Sequence, residues 1–87
     1  MRVTVISPEQ SVFEGEATAV VAPAHDGEVG ILPRHAPFMT LLGEGKLTVR
    51  QDDGGDKVFR VRGGILQVVD DVVNVVAEHA EGENDDS

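Results

Sequence analysis

The 87-residue sequence contains no cysteine. That excludes a disulfide framework, a thiolate metal site and a cysteine nucleophile. Tryptophan and tyrosine are also absent. The three phenylalanines, Phe13, Phe38 and Phe59, offer little for stacking bases or sugar rings. Basic residues are scarce: seven Lys and Arg against sixteen Asp and Glu give a formal net charge of −9. A phosphate backbone or an anionic lipid surface would be repelled, so no nucleic-acid partner is expected. No apolar run approaches the ~20 residues of a membrane-spanning helix. The opening MRVTVISPEQ alternates in polarity and lacks the apolar stretch of a signal peptide.

What is present points to strands. Valine occurs fifteen times, and Val, Ile and Thr together supply 22 of the 87 residues. Such β-branched side chains suit a pleated surface better than a helix. The length allows one domain with a thin core, since a chain this short buries only about 60% of its unfolded surface. Turn signals recur every six to twelve residues and leave no room for a long helix. Residues 2–6 alternate, with Val3 and Val5 on one side and Thr4 and Ile6 on the other. After the SPEQ turn, Val12 and Phe13 begin a second short strand that ends near Gly15. Residues 17–22 are almost wholly apolar and read as a strand covered on both faces. PAHDG reads as a loop, 28–32 as a strand, and PRHAP as a loop held by its two prolines. Residues 38–42 are apolar, GEG reads as a turn, and 46–51 places Leu47 and Val49 inward. DDGGD reads as a hairpin loop, and 57–62 returns with Phe59 and Val61 inward. Gly63-Gly64 marks a bulge or a close backbone approach. Residues 65–69 and 72–77 flank Asp70-Asp71, a second tight hairpin. Strands this short and this regularly spaced make an all-β sandwich or barrel over residues 1–77. Residues 78–87 hold five acids and no Lys or Arg, and read as a solvated acidic tail.

Catalytic patterns are missing. Ser7, Ser11 and Ser87 sit in no nucleophile elbow, and nothing in the spacing brings a His and an acid to them. Gly43-Glu44-Gly45-Lys46-Leu47 glances at a phosphate loop. It puts Leu47 where a Ser or Thr should meet magnesium, and Thr40 where the first glycine belongs. His25, Asp26, Glu28 and His35 lie on neighbouring loops without a known metal-ligand spacing, so no metal or cofactor is expected. Asp52-Asp53 and Asp70-Asp71 are explained by turn chemistry. A thin-cored β domain with this many apolar positions reads as one that rests on a partner.

Three blocks carry a more specific signal. They are VISPEQSVFEG at 5–15, DGEVGILPRHAPFMTLL at 26–42, and RGGILQV at 62–68 followed by VNVVAEHA at 73–80. In this order and spacing they resemble the N-terminal domain of the epsilon subunit of the bacterial F-type ATP synthase. The GE-x-GI-x-P-x-HAP core is the most distinctive part. The resemblance implies a flattened β-sandwich of about ten short strands in two sheets. It implies a non-catalytic subunit at the foot of the central stalk, bound to the gamma subunit and to the polar loops of the c-ring. It would couple proton-driven rotation of the ring to gamma for ATP synthesis. Its place would be the cytoplasmic face of the bacterial inner membrane, peripheral to the membrane through the complex. The alternative is a free-standing β-sandwich that binds another protein.

Site residues follow from the resemblance position by position. Glu28 matches the family's ring-facing acid, Gly30 and Ile31 shape its loop, and Arg34 adds a charge where many members carry a small or neutral residue. His35 matches the histidine near both ring and gamma, with Ala36 and Pro37 setting the backbone. Ser7 and Thr40 fall on the gamma side. Gly63 and Gly64 match the family's paired glycines and read as structural. His25 has no counterpart. Many members continue into two helices that carry an inhibitory arm and, in some bacteria, an ATP site. This sequence stops at Ser87, so it is expected to be a naturally short form that binds no ATP and no small-molecule substrate.

Overall fold

The structure, a computed structural model, describes residues 1–52 and 54–82 and contains eight strands and no helix among them. They are β1 (Arg2–Ile6), β2 (Ser11–Glu16), β3 (Ala19–Ala24), β4 (Gly27–Ile31), β5 (Phe38–Leu41), β6 (Glu44–Arg50), β7 (Asp56–Val69) and β8 (Val72–Gly82). All belong to one hydrogen-bonded sheet in the order β2-β1-β8-β7-β6-β3-β4, with β5 pairing β7 off that path. The sheet folds over on itself. β2 and β7 are not neighbours in it, yet Phe13 and Phe59 meet across the core with ring centroids 5.8 Å apart. Val3, Val5, Val73 and Val75 from one half share a single buried cluster with Val20, Ile31, Leu47 and Val49 from the other. The shortest dimension is 23 Å, as two layers ~10 Å apart with their side chains require.

The β7–β8 hairpin builds both layers. Near the Asp70-Asp71 turn, β7 pairs with β5 and β8 pairs in parallel with β1. Farther along, the first half of β7 pairs with β6. Between these halves the inward-facing positions change parity. Phe59 and Val61 are buried before Gly63-Gly64, and Leu66 and Val68 after it. β8 makes the matching change, from Val73, Val75 and Ala77 to Ala80. Because both strands shift together, the register survives: Arg62 pairs with His79 and Gly64 with Ala77.

Gly64 permits this at φ 114°, where a Cβ would meet the Val76 carbonyl oxygen and lie 2.7 Å from Ala77 Cα. Gly63, at φ 72°, has the Glu78 carboxylate over it instead. The expected close backbone approach is therefore at Gly64. The eight strands of the described residues come close to the expected ten or so, two long strands each serving both layers. Asp70 and Asp71 both have positive φ, 51° and 64°, as a two-residue type I′ hairpin requires.

Other boundaries differ from the sequence reading. β3 begins at Ala19 rather than Ala17, and it is fully covered on one face only, at Val20 and Ala22. PAHDG is mostly strand, with His25 and Asp26 as a two-residue turn between β3 and β4. Glu44 and Gly45 open β6 rather than forming a turn. Asp53 and residues 83–87 lie outside the described residues. Residues 78–82, assigned by sequence to the acidic tail, are instead the end of β8, where Ala80 is buried. Buried Ala80 is flanked by exposed Glu78, His79, Glu81 and Gly82, so charge count alone concealed a paired strand.

Candidate functional site

No constellation for chemistry forms among the described residues. No three His, Asp or Glu side chains gather for a metal. His25 sits exposed in the β3–β4 turn, whereas His35 lies beyond β4, its ring edge-on to Phe38 at 5.6 Å. Ser7 donates toward Glu9 Oε1 at 3.2 Å and the Gln10 carbonyl at 3.3 Å, and the Ser7 and Gln10 backbones pair. That is turn chemistry, not nucleophile activation.

The outer face of the layer made by β2, β1, β8, the second half of β7 and β5, the first layer, is different. The register aligns Ile6 with Val76, Val76 with Ile65, and Ile65 with Leu41. These four side chains form one row across β1, β8, β7 and β5. Each is substantially exposed: Ile6 38%, Val76 51%, Ile65 41% and Leu41 56%. At the ~4.8 Å strand spacing the row is roughly 14 Å long. The next row, Thr4, Asn74, Gln67 and Met39, is polar save for Met39, and Thr4 Oγ1 donates to Asn74 Oδ1 at 2.7 Å. The apolar row lines a groove of about 740 Å³ together with Pro8, Leu42, Gly63, Gly64 and Ala77. Ser7 and Glu78 are the polar residues on its lining.

The site residues expected from the resemblance divide between two regions. Glu28 and Gly30 stand exposed on β4, an edge strand of the sheet and not a loop. Ile31, expected at the ring contact, is 0% exposed and belongs to the core. Its part is to anchor β4 from beneath. Arg34 follows at φ 67°, and its backbone N–H donates to Asp71 Oδ1 at 2.8 Å, which docks the β4–β5 loop on the β7–β8 turn. His35 Nδ1 lies 2.8 Å from the Ala36 carbonyl. Glu28 and Gly30 thus lie on β4, and Arg34 and His35 lie in the β4–β5 loop that follows it.

The gamma-side residues are not brought together. Ser7 is in the groove lining, while Thr40 lies on the opposite face of β5 from Leu41 and pairs with buried Leu66. His35 is at the other end of the first layer from Ser7. The residues that sequence reasoning missed are Ile6, Leu41, Ile65, Val76 and Glu78. For the four apolar ones the signal was an apolar side chain at an outward position of its strand, Ile6 beside Thr4 and Val76 beside Asn74; Glu78 carried none.

Residues 1–83 match the family described as ATP synthase, Delta/Epsilon chain, beta-sandwich domain. The chain belongs to that family. An ATP synthase epsilon chain from Alkalilimnicola ehrlichii is 42% identical over 80 residues, covering 92% of this chain and 57% of that protein. One from Caulobacter vibrioides is 44% identical over 77 residues and covers 88% of each. The chain thus spans just over half the length of the first relative and most of the second. A solved Euglena gracilis mitochondrial ATP synthase, described as OSCP, F1 and c-ring, contains a chain that superposes with a TM-score of 0.85. The match covers 92% of this chain and 51% of that one at 24% identity, and it bears on the fold. The delta/epsilon sandwich is therefore all-β here as in its family, with no helix among the described residues.

Proposed function

We propose that this domain is a non-catalytic rotor element of an F-type ATP synthase, linking the c-ring to the gamma subunit. The observation that carries the proposal is the exposed row Ile6–Val76–Ile65–Leu41 with its groove, on a chain whose relatives are epsilon chains. An aligned apolar row lining a groove is a surface made to be covered, and gamma is the partner assigned to it. Glu28 and Gly30 on β4, with Arg34 and His35 in the loop after it, are assigned to the c-ring, where Glu28 accepts from donors on the ring loops. Ser7 borders the gamma surface. His35 and Thr40 lie apart from the groove and contribute to gamma only if that contact wraps the β5 edge.

The fold supports the transmission of force between these surfaces. Glu28 and Gly30 lie on β4 in one layer, and the groove lies on the other layer. β7 and β8 run through both, so a load applied at β4 reaches the groove through continuous chain and ladder hydrogen bonds. In a bacterium, the domain would work on the cytoplasmic side of the inner membrane, held there by the complex and not by lipid, with proton flow driving the ring. The chain itself is assigned no ATP site.

The test is binding of the purified domain to gamma, followed by titration of Leu41→Ser and Ile65→Ser. The parent is expected to bind at micromolar concentrations or tighter, and each variant to lose about tenfold or more while keeping its melting temperature. No complex with gamma at those concentrations overturns the assignment and favours a free-standing binding module.

A further inference from the structure

Resting on the gamma reading of the groove, we infer that Glu78 selects a single Lys or Arg on gamma. Glu78 is the one ionisable residue on an otherwise apolar lining in which Ser7 is already engaged by Glu9 and Gln10. Among the described residues its carboxylate has no hydrogen-bond or ion-pair partner. The carboxylate lies low over the backbone because residue 63 is glycine: a Cβ there would be 2.6 Å from Glu78 Oε1. The group is thus part of the groove wall, where a covering partner meets it.

Covering the groove removes water from that carboxylate. An ionised carboxylate enclosed without a partner is costly, and none of the described residues donates to it. Gamma must therefore bring the donor. A cation is favoured over a neutral donor because the domain carries a net charge of −9, so a basic segment is also drawn to it from a distance. The segment recognised sets apolar side chains along the Ile6–Leu41 row and one ammonium or guanidinium at the Glu78 end.

The experiment measures gamma affinity of the parent, Glu78→Gln and Glu78→Ala from low to high salt, with Leu41→Ser as the control for the apolar row. Circular dichroism melting checks that each variant folds. Glu78→Gln is expected to lose about tenfold in affinity and to flatten the salt dependence. Removing one basic residue of gamma should give the same loss, and the two changes together no further loss. If Leu41→Ser weakens binding while Glu78→Gln matches the parent at every salt concentration, the groove reading stands and the cation contact is wrong. If the parent fails to bind gamma at all, the groove reading fails and this inference with it.

Discussion

Adding one methyl group at Gly64 should damage the domain far more than adding one at Gly63. At Gly64 the backbone has φ 114°, a region that costs a non-glycine residue about 1–3 kcal/mol. The new Cβ also overlaps the Val76 carbonyl oxygen and Ala77 Cα, which are backbone atoms of the paired strand. They can retreat only by parting β7 from β8, at the loss of about two ladder hydrogen bonds near 1 kcal/mol each. The combined cost is about 3–5 kcal/mol, a large share of the ~5–15 kcal/mol typical of a whole domain. At about 4–8 °C per kcal/mol, Gly64→Ala should lower the melting temperature by more than ~12 °C. At Gly63 the φ of 72° is left-handed helical, which costs alanine about 1–2 kcal/mol. The Cβ there meets only the end of the Glu78 side chain, which can swing away. Gly63→Ala should therefore cost about 1–2 kcal/mol. Urea unfolding followed by far-ultraviolet circular dichroism suits a chain with no Trp or Tyr. A Gly64→Ala variant within about 1 kcal/mol of the parent, or a Gly63→Ala variant that loses as much as Gly64→Ala, would show that the β7–β8 backbone does not crowd residue 64.

Glu28→Lys should leave urea stability within about 0.5 kcal/mol, because the side chain is exposed on an edge strand, yet it should weaken attachment to the c-ring in reconstituted complexes. Equal ring binding by variant and parent removes Glu28 from the interface. Phe59→Ala should cost about 3–5 kcal/mol, since it empties a core position that Phe13 contacts across the layers; a loss under 1 kcal/mol in the same urea assay would contradict that packing. Asp71→Ala should cost about 2 kcal/mol, from strain at φ 64° and from the lost acceptor for the Arg34 N–H. Asp71→Asn keeps both the acceptor and the tolerance of that backbone, so thermal melts should place it much nearer the parent.

Much of the fold was readable because its strands bury one face. The alternation of Val3 and Val5, Leu47 and Val49, and Phe59 and Val61 has a period of two, and each of these residues is buried. The Asp70-Asp71 hairpin was legible from flanking valines and short polar turn residues. Gly63-Gly64 was legible as a disturbance but not as a crossing between layers. A glycine pair signals permissive backbone, and only the partner strand shows that pairing resumes in the same register. Ile31 was misplaced because a motif groups residues by chain position, whereas an edge strand sends Glu28 and Gly30 outward and Ile31 inward. The groove was invisible for a related reason. Ile6, Leu41, Ile65 and Val76 are scattered over seventy positions, and each alone is an unremarkable apolar residue. Register alone aligns them.

The parallel pairing of β1 with β8 bears on how the polypeptide emerges from the ribosome. Arg2 must wait for Val72 and Thr4 for Asn74, so the opening β1–β2 ribbon leaves the exit tunnel with one flank unsatisfied. At about 5–20 residues per second, some seconds separate synthesis of these partners. During that interval the nascent ribbon is a template for any other extended segment nearby, and a pause in translation ahead of Val72 would prolong the exposure. Synonymous codon choice ahead of Val72 therefore becomes a physical variable for the yield of soluble protein.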